Sequence, residues 1–270
     1  MLETNLTPTV TTSASGQTDP DLILETRALC KSFGAVQAVR SVDWGVRRGE
    51  VCALLGDNGA GKSTLIKLVS GALAPSSGEI LVRGQRARIS GPADALKLGI
   101  APVYQDLALV ENRNVIQNMF LGGELTHGPF GWFLDHARMA QEAKRVLTEM
   151  RSRIPSAQEV VRKLSGGQRQ AVAIARTLIR GGEIIIMDEP TAALGVEQTA
   201  EVLSLIRTLR TQGRTVVLIT HNISHVFEVA DQVSVMFRGQ MVGTRRIAQT
   251  THEEVVSMIV GARRDALTEA

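Results

Sequence analysis

The chain has 270 residues, 44% hydrophobic and 21% charged, which suits a globular protein of one large domain or two small ones. Against 27 acidic residues stand 30 Lys and Arg; the formal charge of +3, without a basic block carrying interleaved aromatics, excludes nucleic acid as an expected partner. No apolar run reaches the length of a membrane-crossing helix, and the Thr- and Ser-rich first twenty residues lack the apolar stretch of a secretory signal.

In chain order, residues 1–21 read as a disordered tail. From Leu22 to about Val46 the pattern predicts two or three strands around the turn Ser32-Phe33-Gly34. Phe33 reads either as a core side chain or as a ring stacked on a base. Cys30 and Cys52 fall in strand-like runs and read as buried free thiols, which fits a reducing compartment.

Val51-Cys52-Ala53-Leu54-Leu55 reads as a buried strand. It runs into Gly56-Asp57-Asn58-Gly59-Ala60-Gly61-Lys62-Ser63-Thr64, which fits the phosphate-loop pattern G-x-x-x-x-G-K-[ST]. Glycines let the backbone curl closely around a phosphate, and the amides of that curl, with the following helix N-terminus, form an anion site. Lys62 supplies charge to the outer phosphates, and Ser63 a hydroxyl for Mg²⁺. Leu65, Leu68, Val69 and Ala72 then recur at helical spacing.

The turn Pro75–Gly78 leads to a strand at Glu79–Val82. Gly91-Pro92 opens a short helix through Leu98, and Ile100–Tyr104 reads as a strand ending at Gln105. Residues from about 106 to 155 differ in character: an Asn-rich helix (Asn112–Leu121), a loop (Gly122–Gly131) and a charged helix (about Asp135–Met150) with one apolar face. Ser165 and Gln168 form a capping-box pattern at the start of a helix. Glu183–Met187 is a buried strand ending in Asp188 and Glu189. A helix from about Val196 to Arg210 stops at Gly213, and Thr215–Thr220 is a strand ending at His221. Strands at Gln232–Phe237 and Gln240–Gly243 precede a last helix capped by Thr251.

Alternating strands and helices predict an α/β fold with a mainly parallel sheet, whose ligands sit at the carboxyl ends of strands. Gly56, Gln105, Asp188, Glu189 and His221 all lie at such ends. Asp188 is placed to hold Mg²⁺, and Glu189 to polarise a water for attack on a γ-phosphate. Gln105 could serve the metal or the water, and His221 could donate to the phosphate.

This set resembles the ATP-binding subunit of ABC transporters from about Leu22 to Ile259. Gly56–Thr64 is similar to the family's Walker A, Tyr104-Gln105-Asp106 to its Q-loop, and Leu164-Ser165-Gly166-Gly167-Gln168 to its LSGGQ signature. Ile184–Thr191 is similar to Walker B with its catalytic Glu, Thr220-His221 to the switch His, and Phe33 to the base-stacking aromatic. One departure is Gly195, where the D-loop commonly carries Asp. The runs Pro190–Val196, Tyr104–Leu109 and Asn118–Gly122 resemble monosaccharide importers of the ribose, xylose and fructose kind.

The resemblance implies a P-loop NTPase of the ABC type, with an antiparallel N-terminal β subdomain and a helical subdomain at about 106–180 inserted in an ATPase domain at 22–262, followed by a tail at 263–270. Its implied cofactors are ATP and Mg²⁺. Ser165, Gly166, Gly167 and Gln168 would close over the ATP of a second copy in a homodimer. The implied partners are membrane permease subunits and, indirectly, an extracytoplasmic sugar-binding protein, with the chain peripheral on the cytoplasmic face of the inner membrane. An ABC exporter subunit and a non-transport ABC ATPase are the alternatives.

Overall fold

The computed structural model describes residues 19–128 and 132–261. The rest of the expected tails, and residues 129–131 of the expected loop, lie outside the described residues. Asp19 and Asp21, expected in the N-terminal tail, belong to the fold: both carboxylates pair with Arg47.

Two sheets organise the fold. The first runs β2-β1-β4-β5, all antiparallel, from β1 (Leu22–Phe33), β2 (Val36–Arg47), β4 (Ser77–Val82) and the two-residue β5 (Gln85–Arg86). Val42, Trp44 and Val46 point inward at every second position, as a half-buried strand requires. The long β1–β2 ladder shifts register, with Ala28 (φ 45°) and Ser41 (φ 49°) at the irregularities.

The second sheet has the order β12-β11-β3-β10-β9-β6, formed by β3 (Val51–Leu55), β6 (Ile100–Val103), β9 (Ile184–Asp188), β10 (Thr215–Ile219), β11 (Gln232–Phe237) and β12 (Gln240–Arg246). Every pairing is parallel except that of the edge strand β12. Its middle strands are continuous apolar runs because both faces are covered. Ile184 and Ile186 of β9 join Cys52 and Leu54 in a core shared with the antiparallel sheet. Ile185 and Met187 face the other way, into a core filled by helices. Trp44 ties the two sheets by donating its indole N–H to Ser234 Oγ at 3.1 Å.

On the first face lie α1 (Lys62–Val69) and α2 (Pro92–Lys97). On the second lie α3 (Val115–Phe120), α4 (His136–Glu149), α5 (Gly166–Ile179) and α6 (Val196–Thr211), while α7 (Ile223–Val229) and α8 (His252–Ile259) cover the β11 end. We propose residues 106–180 as an inserted helical subdomain. Its core is continuous with Ile185 and Met187 of the sheet, so it is an outgrowth of one core rather than a separate one. Among the described residues no helix is long and apolar enough to cross a membrane.

Several expected elements differ in extent. The expected strand to Tyr104 stops at Val103, and the side chain of Tyr104 lies 39% exposed. The Asn-rich helix begins only at Val115, because Asn114 caps it in a box with Gln117. The expected loop carries the two-residue β7 (Thr126–His127), which pairs antiparallel with β8 (Phe133–Leu134) just beyond it. Cys52 is buried, and burial pushes its thiol up to about 11. Cys30 is only partly buried, contrary to expectation, because it sits beside the register shift of β1.

Asn118, fully buried in α3, pins the preceding loop. Its Oδ1 accepts from the Val110 amide at 2.7 Å, and its Nδ2 donates to the carbonyls of Val110 and Asn114, both at 3.0 Å. Replacing it with Leu orphans the Val110 amide, while the Val110 and Asn114 carbonyls keep the Arg113 and Asn118 amides, so we expect Asn118→Leu to cost about 1–3 kcal/mol in chemical denaturation.

Candidate functional site

The Gly56–Thr64 loop joins the carboxyl end of β3 to the start of α1. Gly56 has φ 148°, and a Cβ there would lie 2.2 Å from the Met236 carbonyl oxygen of β11. Gly61, the N-cap of α1, has φ 104°, and a Cβ would lie 2.6 Å from the Ala38 carbonyl oxygen of β2. Both positions therefore demand glycine on two counts: a left-handed backbone and close approach of a neighbouring chain segment. The Gly239 amide donates to the Ala60 carbonyl at 2.9 Å and braces the loop from the β11–β12 turn. Asp57, Asn58, Gly59 and Ser63 are exposed, so the loop presents its curl to solvent.

Lys62 folds back over the curl and donates to the carbonyls of Gly56 at 2.7 Å and Asp57 at 3.0 Å. Burial lowers the proton affinity of its ammonium, while the charges of Glu189, Asp57 and Asp188 raise it. Lys62 thus faces the end of β9.

Asp188 ends β9 and is half-buried. Burial pushes its carboxyl up, the neighbouring Glu189 adds to the rise, and Lys62 and Lys67 act against it. A folded-state value raised above the unfolded one means that folding disfavours the ionised form. The penalty is present at neutral pH and disappears as pH falls below the unfolded carboxylate range. We therefore expect Asp188→Asn to raise the Tm of the nucleotide-free protein at pH 7 and not at pH 3, measured by calorimetry.

Glu189 lies just beyond the strand with φ 48°, a conformation that costs a non-glycine residue about 1–2 kcal/mol. Its amide donates to the Ile219 carbonyl of β10 at 2.9 Å, which anchors the turn. Its Oε1 lies 3.0 Å from His221 Nδ1, whereas its buried Oε2 has no hydrogen-bond partner among the described residues. One oxygen is thus committed to the loop after β10.

The structure thus brings Lys62, Asp188, Glu189 and His221 together beside the loop. Gln105 lies two residues past β6, exposed, with no hydrogen bond among the described residues. Phe33 ends β1 and is 48% exposed, so the core reading fails; Lys31 Nζ stands 5.3 Å from its ring centre. Ser165 caps α5 by accepting from the Gln168 amide at 3.2 Å, while Gln168 Oε1 accepts from the Ser165 amide at 3.0 Å. A Cβ on Gly166 would lie 2.4 Å from Leu194 Cδ2, and one on Gly167 2.9 Å from Glu201 Oε2. These glycines pack on the start of α6 and not on the 56–64 loop.

Sequence reasoning missed the short α7 and with it His225. The signal was available as Asn222-Ile-Ser-His225, the spacing of an N-cap side chain to the third helical amide, and Asn222 Oδ1 accepts from the His225 amide at 3.2 Å.

Comparison with known proteins identifies the family. The family described as ABC transporter matches residues 39–192. The chain is 44% identical over 237 residues to the xylose/arabinose import ATP-binding protein XylG of Sulfolobus acidocaldarius, covering 88% of this chain and 93% of that one. It is 43% identical over 246 residues to the fructose import ATP-binding protein FrcA of Rhizobium meliloti, covering 89% and 95%. Against the ribose import ATP-binding protein RbsA of Yersinia pestis the identity is 41% over 88% of this chain, but only 46% of that longer one. Among solved structures, a nucleotide-free ATP-binding cassette from an ABC transporter superposes with a TM-score of 0.76 at 26% identity, over 89% of this chain and 95% of that one. This protein therefore belongs to the ABC transporter family and is one of its ATP-binding, ATP-hydrolysing chains.

Proposed function

We propose that this chain powers uptake of a monosaccharide through separate membrane-spanning subunits, from the cytoplasmic face of the inner membrane. The observation that carries the proposal is its identity of more than 40% to ATP-binding proteins named for import of xylose/arabinose, fructose and ribose.

In this reading the ATP phosphates sit on the amides of the 56–64 loop and on Lys62. When bound, Mg²⁺ would neutralise charge on the phosphates, held by Ser63, Gln105 and Asp188. Among the described residues no three His, Cys, Asp or Glu side chains form a metal cage. That suits an ion which takes most of its ligands from phosphate and water. Glu189 presents its free Oε2 to the attacking water, and His221, steadied by Oε1, reaches toward the γ-phosphate. Phe33 offers its exposed ring to the base.

Ser165, Gly166, Gly167 and Gln168 close over the ATP of a second copy; Gly166 and Gly167 lie against the start of α6 rather than their own phosphate loop. The membrane subunits dock on α3, beside a groove of about 370 Å³ that includes Ile116, Gln117, Leu121 and Leu134. A sugar-binding protein outside the membrane would reach this chain only through those subunits. Purification of the tagged chain from solubilised membranes tests the proposal. A polytopic membrane protein identified by mass spectrometry is expected. Recovery only in the soluble fraction, alone or with ribosomes, would overturn it.

A further inference from the structure

Two loops frame the candidate reaction centre: the turn after β9, which carries Glu189, and the loop after β10, which carries His221. The Glu189–His221 contact is one tie between them. A second lies beside it. His225 Nδ1 is 3.3 Å from Thr191 Oγ1, two residues beyond Glu189. Its Nε2 is 3.2 Å from Asn222 Nδ2, one residue beyond His221.

The hydrogen-bond pattern assigns the tautomer. Asn222 Oδ1 accepts from the His225 backbone amide, so its NH₂ end faces the ring. That end can only donate, so Nε2 is unprotonated and accepts. The ring proton then sits on Nδ1 and is donated to Thr191 Oγ1. Every partner is satisfied in one arrangement, with the neutral ring as the bridge.

We infer that His225 is a positioning residue for ATP hydrolysis, bridging the Glu189 turn to the His221 loop. The inference rests on the reading of Glu189 and His221 given above. Among the described residues no hydrogen bond links the His225 side chain to the phosphate loop or to a proposed ATP contact. Removing it loosens the geometry of the chemical step and leaves nucleotide affinity alone. A displacement on the ångström scale is enough to cost catalysis heavily.

The test is steady-state ATPase kinetics on the full chain. His225→Leu keeps bulk and deletes both hydrogen bonds. It should lower kcat about tenfold with KM for ATP within about twofold. His225→Gln can accept at one end of its amide and donate at the other, and should restore kcat to within about threefold of wild type. Thr191→Val breaks the same bridge at its far end without touching the helix. If His225→Leu melts early, Thr191→Val carries the measurement, and the double variant should be no slower than the worse single one.

Unchanged kcat in folded His225→Leu and Thr191→Val overturns the inference. So does a Gln variant as slow as Leu. Glu189→Gln runs alongside as the reference. If it stays active, the underlying reading of the site fails. If it is inactive while His225→Leu and Thr191→Val match wild type, the bridge alone is refuted.

Discussion

Glu189→Gln is expected to hydrolyse ATP at least about a hundredfold more slowly than the wild type, in line with the usual contribution of a positioned acid–base group. The amide keeps the size of the carboxylate and can still meet His221. It places a weaker acceptor, or an NH₂ donor, at the position of Oε2, which is buried without a hydrogen-bond partner among the described residues. The turn itself survives, because the backbone bond to Ile219 holds it independently of the side chain. ATP binding should persist. With hydrolysis blocked, saturating ATP and Mg²⁺ should shift the protein to a dimer in size-exclusion chromatography. A kcat within threefold of wild type would remove Glu189 from its proposed role. A variant that is inactive yet monomeric would count against the dimer instead.

Lys62→Ala is expected to weaken ATP binding about a hundredfold by titration calorimetry. Two charge-assisted bonds to phosphate, at about 1.5–3 kcal/mol each, supply that loss. The ammonium bonds the Gly56 and Asp57 carbonyls, and we expect it to exchange these partners for phosphate when ATP binds. The cost of that exchange is why the expected loss is smaller than the sum of two new bonds. An affinity change below fivefold would show that the loop amides do most of the holding.

Much of the architecture was readable from residue order. The central strands are short unbroken apolar runs, and a run such as Ile184–Met187 admits little but a strand buried on both faces. The phosphate loop, the two carboxylates and His221 were readable because each sits at the end of such a strand. What escaped has physical reasons. Helix α7 has seven residues and buries only Val226 and Val229, too few apolar positions to reveal a period. The β7–β8 hairpin pairs two residues on each side, below any pattern. Phe33 was ambiguous because an aromatic at a strand end can face either way, and only its exposure decided. The bridge through His225 depends on which way an Asn amide points, and no spacing encodes that.

We propose that ATP hydrolysis at Lys62, Asp188, Glu189 and His221 drives monosaccharide uptake. The most direct measurement is uptake of labelled xylose, fructose and ribose by cells lacking the chain, with wild type or Glu189→Gln supplied back. Loss of uptake of at least one sugar, restored by wild type and not by Glu189→Gln, is the predicted result. Undiminished uptake of all three in cells lacking the chain, with the purified protein still hydrolysing ATP, would contradict it.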